Sequence, residues 1–335
     1  MIKNTRLLIS LVFPLLLMAC GESSSVPTDT STNTGGTDGT TTTSSTRPNI
    51  LLIISDDQGL DSSAQYSLSS DLPTTPNLNA LANGGLVFDN AWATPACTTT
   101  RSSIITGRYG AKTSVLSVGD TLPDTETILH RYLSTNTDTS DYDSAIIGKW
   151  HLGGGNAPPS QPNDRCVPCY AGILSGSLAD YSNWNITEQG VTSATTDYST
   201  SKLTDLAVNW VGQQGDDPWF LWLAYNAPHT PFHLPPANLQ TSGLSGDAAD
   251  ITANSRAYYL AAIEAMDTEI GRLLNSMSTE VRENTIILYV GDNGTPSRVR
   301  DRAVYANATK GSLTEGGLAG ADDCVGEGRE PGWRA

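Results

Sequence analysis

The sequence predicts an α/β fold in which a mostly parallel central sheet is sandwiched by helices. Three observations predict it. Short apolar runs without period-2 polarity recur at 49–55, 144–147, 219–224 and 285–290, as expected of strands buried on both faces. Amphipathic helical patterns lie between them. Polar clusters follow directly on several of the runs, at the end of such a sheet where ligands gather. The chain has 335 residues, 38% of them hydrophobic, enough for one large domain or two of ordinary size. With 19 Lys and Arg against 35 Asp and Glu, a net charge of -16 and no basic cluster, it lacks the cationic face that a nucleic acid requires.

Lys3 and Arg6 precede an apolar stretch from Leu7 to Ala19, which ends in Leu17-Met18-Ala19-Cys20. A basic start and an apolar run too short to span a bilayer read as an export signal over residues 1–20. Its end resembles the lipobox of bacterial lipoproteins, in which the cysteine, here Cys20, is lipidated; an ordinary secretory signal is the alternative. Residues 21–46 are almost entirely Ser, Thr, Gly, Asp, Asn and Pro. They cannot bury enough surface to offset their ordering entropy, so they read as a disordered tether. The expectation is an exported bacterial lipoprotein, anchored to a membrane and facing the periplasm or cell surface, whose folded part begins near Arg47.

The first apolar run, Asn49 to Ser55, leads into Asp56-Asp57, and the last, 285–290, leads into Gly291-Asp292-Asn293-Gly294. Carboxylates brought together this way repel unless a cation neutralises them. Oxygen donors suit a hard ion, calcium or magnesium, rather than zinc. Either pair alone also fits a helix cap or a turn. Two helices are predicted, one from Leu203, Leu206, Ala207, Trp210 and Val211 and one from Leu260, Ile263, Met266, Ile270, Leu273, Leu274 and Met277.

Four further short blocks accompany these elements. Cys97-Thr98-Thr99-Thr100-Arg101 is followed by Thr106-Gly107-Arg108; Gly148-Lys149-Trp150-His151-Leu152-Gly153 and Asn226-Ala227-Pro228-His229-Thr230-Pro231 each come just after an apolar run; Lys310-Gly311-Ser312-Leu313-Thr314-Glu315-Gly316-Gly317 closes the body. With Asp56-Asp57 and Asp292-Asn293-Gly294, these resemble, in order, the motifs of the type I sulfatases, formylglycine-dependent and arylsulfatase-like members of the alkaline phosphatase superfamily. The resemblance covers about residues 47–318. One position departs: Thr99 stands where that family has proline or, less often, alanine, and the modifying enzyme reads this stretch as an extended peptide.

The resemblance implies a hydrolase of sulfuric esters. Cys97 would be converted to formylglycine by a formylglycine-generating enzyme, and the hydrate of that aldehyde would be the nucleophile, polarised by Arg101. Calcium rather than magnesium would be held by Asp56, Asp57, Asp292, Asn293 and the modified Cys97. Lys149 and Lys310 would neutralise the sulfate, His229 would protonate the leaving group and His151 would take a proton as the aldehyde is regenerated. The substrate would be a sulfated carbohydrate or another organic sulfate. Two other functions stay open: a catalytically silent surface lipoprotein, and a phosphoesterase of the same superfamily, which the Asp-Asn-Gly block argues against.

His130 and His233 fall outside every block and read as surface or structural. Cys166-Val167-Pro168-Cys169 reads as a local disulfide, and the stretch from Asn156 to Asn183 is expected to border the site. Residues 319–335 contain no Leu, Ile or Phe. The family continues there into another strand and a smaller C-terminal subdomain, so this tail reads as a shifted frame or a truncation that would leave a sheet edge exposed.

Overall fold

A computed structural model describes residues 47–318 and the backbone of 322–326. The signal peptide, Cys20, the tether and most of the 319–335 tail lie outside the described residues. Nine strands form one sheet: β1 (Asn49–Ser55), β2 (Leu86–Val87), β3 (Asp143–Lys149), β4 (Cys169–Ile173), β5 (Trp184–Glu188), β6 (Val191–Thr195), β7 (Trp219–Ala224), β8 (Thr285–Gly291) and β9 (Asp322–Gly326), in the order β2-β9-β8-β1-β7-β3-β4-β5-β6. The five central strands from β8 to β4 are parallel, and antiparallel pairs extend the sheet at both ends. The α/β expectation is met, with antiparallel wings added.

Three of the four strands marked by apolar runs, β1, β3 and β7, are buried on both faces, whereas β8 alternates, with Ile286 exposed. Every residue of β7 is buried, as are the last six of β3. Leu52, Ile54, Ile146, Phe220 and Trp222 form one core cluster with Ile105, Ile128 and Leu133. Period-2 alternation turns Leu51, Ile53, Leu221 and Leu223 to the other side. Four helices matter below: α1 (Pro76–Gly84), α2 (Cys97–Thr106), α3 (Ser199–Val211) and α4 (Ser255–Ser276). The two helices predicted from periodicity are α3 and α4, which pack against each other. Asp267 of α4 is buried, and its carboxylate accepts from Asn77 N (3.2 Å), Asn77 Nδ2 (2.9 Å) and Leu78 N (2.7 Å), capping the first turn of α1 from outside the helix.

Two sequence expectations need correction. The edge of β8 is not bare, because β9, within the tail, pairs antiparallel with β8 and with β2; five residues suffice for a backbone ladder even where side chains carry no strand signal. The Cys166–Cys169 disulfide is not formed either. Cys166 is a free, exposed thiol, whereas Cys169, buried at the start of β4, is disulfide-bonded to a different residue.

Candidate active site

Since β8, β1, β7 and β3 are consecutive parallel neighbours, the residues that follow or end them share one edge of the sheet. Asp56 and Asp57 leave β1, Lys149 ends β3, Asn226 to His229 leave β7, and Asp292 and Asn293 leave β8. Helix α2 begins at the same place. From one turn inside it, Arg101 donates through Nε (3.0 Å) and a terminal nitrogen (2.8 Å) to Asp292 Oδ2, and through its other nitrogen to Lys149 O (3.2 Å). Arg101, Lys149, Asp56, Asp292 and Asn293 are all 0% exposed.

Charge is matched group by group. Lys149 Nζ donates to Asp56 Oδ2 at 2.6 Å, and Lys310 Nζ donates to Asp57 Oδ1. Burial works against the ionised Asp56, but Lys149, with His229 and Arg101, holds its carboxyl below the usual range. For Lys310, burial is outweighed by Asp57 and Asp56, which raise its ammonium well above the ordinary value. Three carboxylates thus face three fixed cations. Asn293 Nδ2 donates to Asp57 Oδ1 (2.7 Å), and Asp57 N donates to Asp292 Oδ1 (3.1 Å). Asp57 adopts a left-handed backbone, φ 75°, and its carbonyl accepts from Tyr259 of α4 at 2.8 Å.

A hard cation fits this donor set. Asp56 Oδ1 and Asn293 Oδ1 are buried with no hydrogen-bond partner among the described residues, a state that costs about 1–3 kcal/mol per group. Donor atoms of Asp56, Asp57 and His229, and likewise of Asp56, Cys97 and Asp292, lie within 4.8 Å of one another. The oxygen-only set expected from sequence is therefore widened, because a ring nitrogen and a thiol come within reach of the carboxylates.

Cys97 is the first residue of α2 and 2% exposed, with its Sγ 3.3 Å from His151 Nδ1. Burial pushes the thiol up, Lys149 only partly opposing it, so the unmodified side chain is a neutral thiol rather than a thiolate nucleophile. Burial, with Lys149 and Arg101, pulls His151 down to about 3. Two close approaches explain glycines here. A Cβ on Gly148, at φ 111°, would stand 1.9 Å from Ala224 O, and one on Gly176 would stand 2.5 Å from the His151 ring. The 156–183 stretch does border the site, through Gly176 and Tyr181. His229 Nδ1 donates to Thr230 O (2.8 Å), which leaves Nε2 facing Asp57 Oδ2 at 3.6 Å.

Thr99 donates to Ala96 O (2.8 Å) and meets Thr94 Oγ1, inside the hydroxyl cluster at the start of α2. His130 and His233 are structural: His130 is 0% exposed against Phe220, and His233 stacks on Tyr181. Sequence reasoning missed Thr98, whose hydroxyl lies 3.3 Å from both His151 nitrogens, and Tyr181 and Tyr259, which hold backbone carbonyls. Only Thr98 had a signal, its place beside Cys97.

A family profile described as Sulfatase matches residues 48–319. The chain belongs to the sulfatase family. It is 29% identical to arylsulfatase G of Rattus norvegicus over 74% of this chain and 51% of that protein. To N-acetylgalactosamine-6-sulfatase of Homo sapiens it is 28% identical, over 74% of this chain and 50% of that one. Among solved structures, Ps i-CgsB in complex with k-i-k-neocarrahexaose superposes with a TM-score of 0.70 at 27% identity, covering 83% of this chain and 66% of that chain. This sulfatase chain spans about half the length of the curated relatives it matches.

Proposed function

We propose that this chain hydrolyses sulfate esters of carbohydrates, using a nucleophile derived from Cys97 by conversion to formylglycine. The observation that carries the reading is the setting of Cys97: it starts a helix, lies against a neutral histidine, and is surrounded by Arg101, Lys149 and Lys310 within a ring of carboxylates. Relatives named for sugar sulfates, such as N-acetylgalactosamine-6-sulfatase, support the substrate class.

The aldehyde hydrate at residue 97 would supply an oxygen nucleophile where the unmodified side chain offers only a neutral thiol. Calcium, with magnesium as second choice, held by Asp56, Asp57, Asp292 and Asn293 beside residue 97, would add positive charge to a centre that is otherwise balanced, which suits an anionic ester. The fixed cations do the remaining charge work. Lys149 and Lys310, each seated on a carboxylate, present ammonium groups to the sulfate oxygens. Arg101, locked to Asp292, fixes the helix that carries residue 97. His229 releases a proton from Nε2 to the leaving oxygen, and His151 accepts one beside residue 97; a positioned acid contributes a factor of ~100 to 10,000. Anchoring at a membrane surface through Cys20 belongs to the same proposal and rests on residues 1–46.

The test is mass spectrometry of the Cys97 peptide after coexpression with a formylglycine-generating enzyme, together with an aryl sulfate assay with and without calcium. Conversion and calcium-dependent turnover are expected. An unconverted thiol, or phosphate ester turnover exceeding that of sulfate, would sink this reading in favour of a silent lipoprotein or a phosphoesterase.

A further inference from the structure

Among the buried groups that this chemistry leaves unused is Tyr181, which touches the turn that carries His229. Its hydroxyl lies 2.7 Å from Asn226 O and 2.8 Å from His229 O. It thereby spans the turn that His229 N closes by donating to Asn226 O at 2.9 Å. The tyrosine is itself held from two sides. Its carbonyl accepts from Ser199 N at the start of α3 (2.8 Å). Its ring stacks on His233, with centroids 4.0 Å apart and planes 24° apart. His233 Nε2 in turn meets the Tyr198 hydroxyl at 3.0 Å. At 2% exposure the hydroxyl has no water to turn to, and burial keeps it protonated and therefore a donor.

The same turn sets the direction of the catalytic ring. His229 Nδ1 is pinned to Thr230 O at 2.8 Å, so moving the 226–230 backbone moves Nε2 with it. A proton transfer tolerates little displacement, because donor and acceptor must come within hydrogen-bond reach.

We infer that Tyr181 is a positioning residue for leaving-group protonation: by clamping the Asn226–His229 turn it fixes where His229 Nε2 stands. This rests on the proposed reading of His229 as the acid. In that step the nucleophile at residue 97 bonds to sulfur as the ester S–O bond breaks with its electron pair going to the leaving oxygen, and the His229 imidazolium gives that oxygen its Nε2 proton while Nδ1–H stays on Thr230 O. A phenoxide already stable without the proton needs the acid little, whereas a basic one needs it greatly. Loss of positioning must therefore grade with the leaving group, while a merely structural loss lowers turnover of all esters alike.

The experiment uses the full chain, matured with the formylglycine-generating enzyme, and compares kcat/KM on 4-nitrophenyl sulfate and 4-methoxyphenyl sulfate. Tyr181→Phe is expected to lower the methoxy substrate ~10-fold and the nitro substrate less than ~2-fold; His229→Ala grades the same way and further, toward the ~100-fold or more that a lost acid costs. Tyr198→Phe, which removes a hydroxyl from the same aromatic stack without touching the turn, keeps the ratio of the two substrates. Should Tyr181→Phe not fold, Tyr181→Met fills the site flexibly without a donor and carries the same comparison. A graded His229→Ala with an ungraded Tyr181 variant overturns the inference alone. An ungraded His229→Ala, or a matured chain without sulfatase activity, overturns the acid assignment and the inference with it.

Discussion

Thr99 stands at the third position of α2, where the backbone N–H needs no intrahelical acceptor. Proline and threonine are both compatible with that position in the folded chain, so the departure at 99 bears on the proposed modification of the unfolded peptide. His130 shows how a buried histidine couples stability to pH. Burial lowers it to about 4, against ~6.5 when unfolded, so the unfolded chain binds its proton first. The native state is favoured above pH ~6.5 and loses up to about 3 kcal/mol as pH falls toward 4. His130→Leu should lose less Tm than the wild type between about pH 7 and 4.5; equal losses in thermal melts would remove His130 from the account. At this scale legibility followed motif spacing. Lys149 and His151 were readable within an unbroken block, but Tyr181 and Tyr259 act through hydroxyls on distant backbone carbonyls, contacts that leave no periodic or local mark in sequence.

The strands were readable where a continuous run of large or branched apolar residues marks them, not wherever they are buried: β4 is fully buried but reads only Cys-Tyr-Ala-Gly-Ile. Strands β1, β3, β7 and β8 were found from their apolar runs, whereas β6 is exposed in four of its five residues and offers only Val-Thr-Ser-Ala-Thr. The cap on α1 was equally hidden, since the Asp267 carboxylate comes from another helix. Asp267→Ala leaves Asn77 N, Leu78 N and Asn77 Nδ2 without that acceptor. It should cost about 1–3 kcal/mol, seen as a lower urea midpoint with an unchanged slope. An unchanged midpoint would mean that water replaces the carboxylate at no cost.

Across the whole molecule, four strands contribute to one centre, so its occupation should be felt globally. Calcium that binds only the native state stabilises it by about 2.7 kcal/mol at 100 times its Kd. The Tm should therefore rise with calcium, fall back with a chelator, and stop responding in Asp292→Ala. A wild type indifferent to calcium would contradict the proposed donor set. The burial of Cys97 also sets an order of events. A side chain 2% exposed on a helix is closed to an enzyme that reads extended peptide, so the proposed conversion would have to come before the chain folds. Arg101 cannot close on Asp292 until β8 has been made, and at ~5–20 residues per second the roughly 190 residues between Cys97 and Thr285 occupy the ribosome for about 10 to 40 s. That delay, a product of parallel pairing between distant segments, is the interval open to the proposed conversion. A permutation that moved β8 ahead of Cys97 would shorten it.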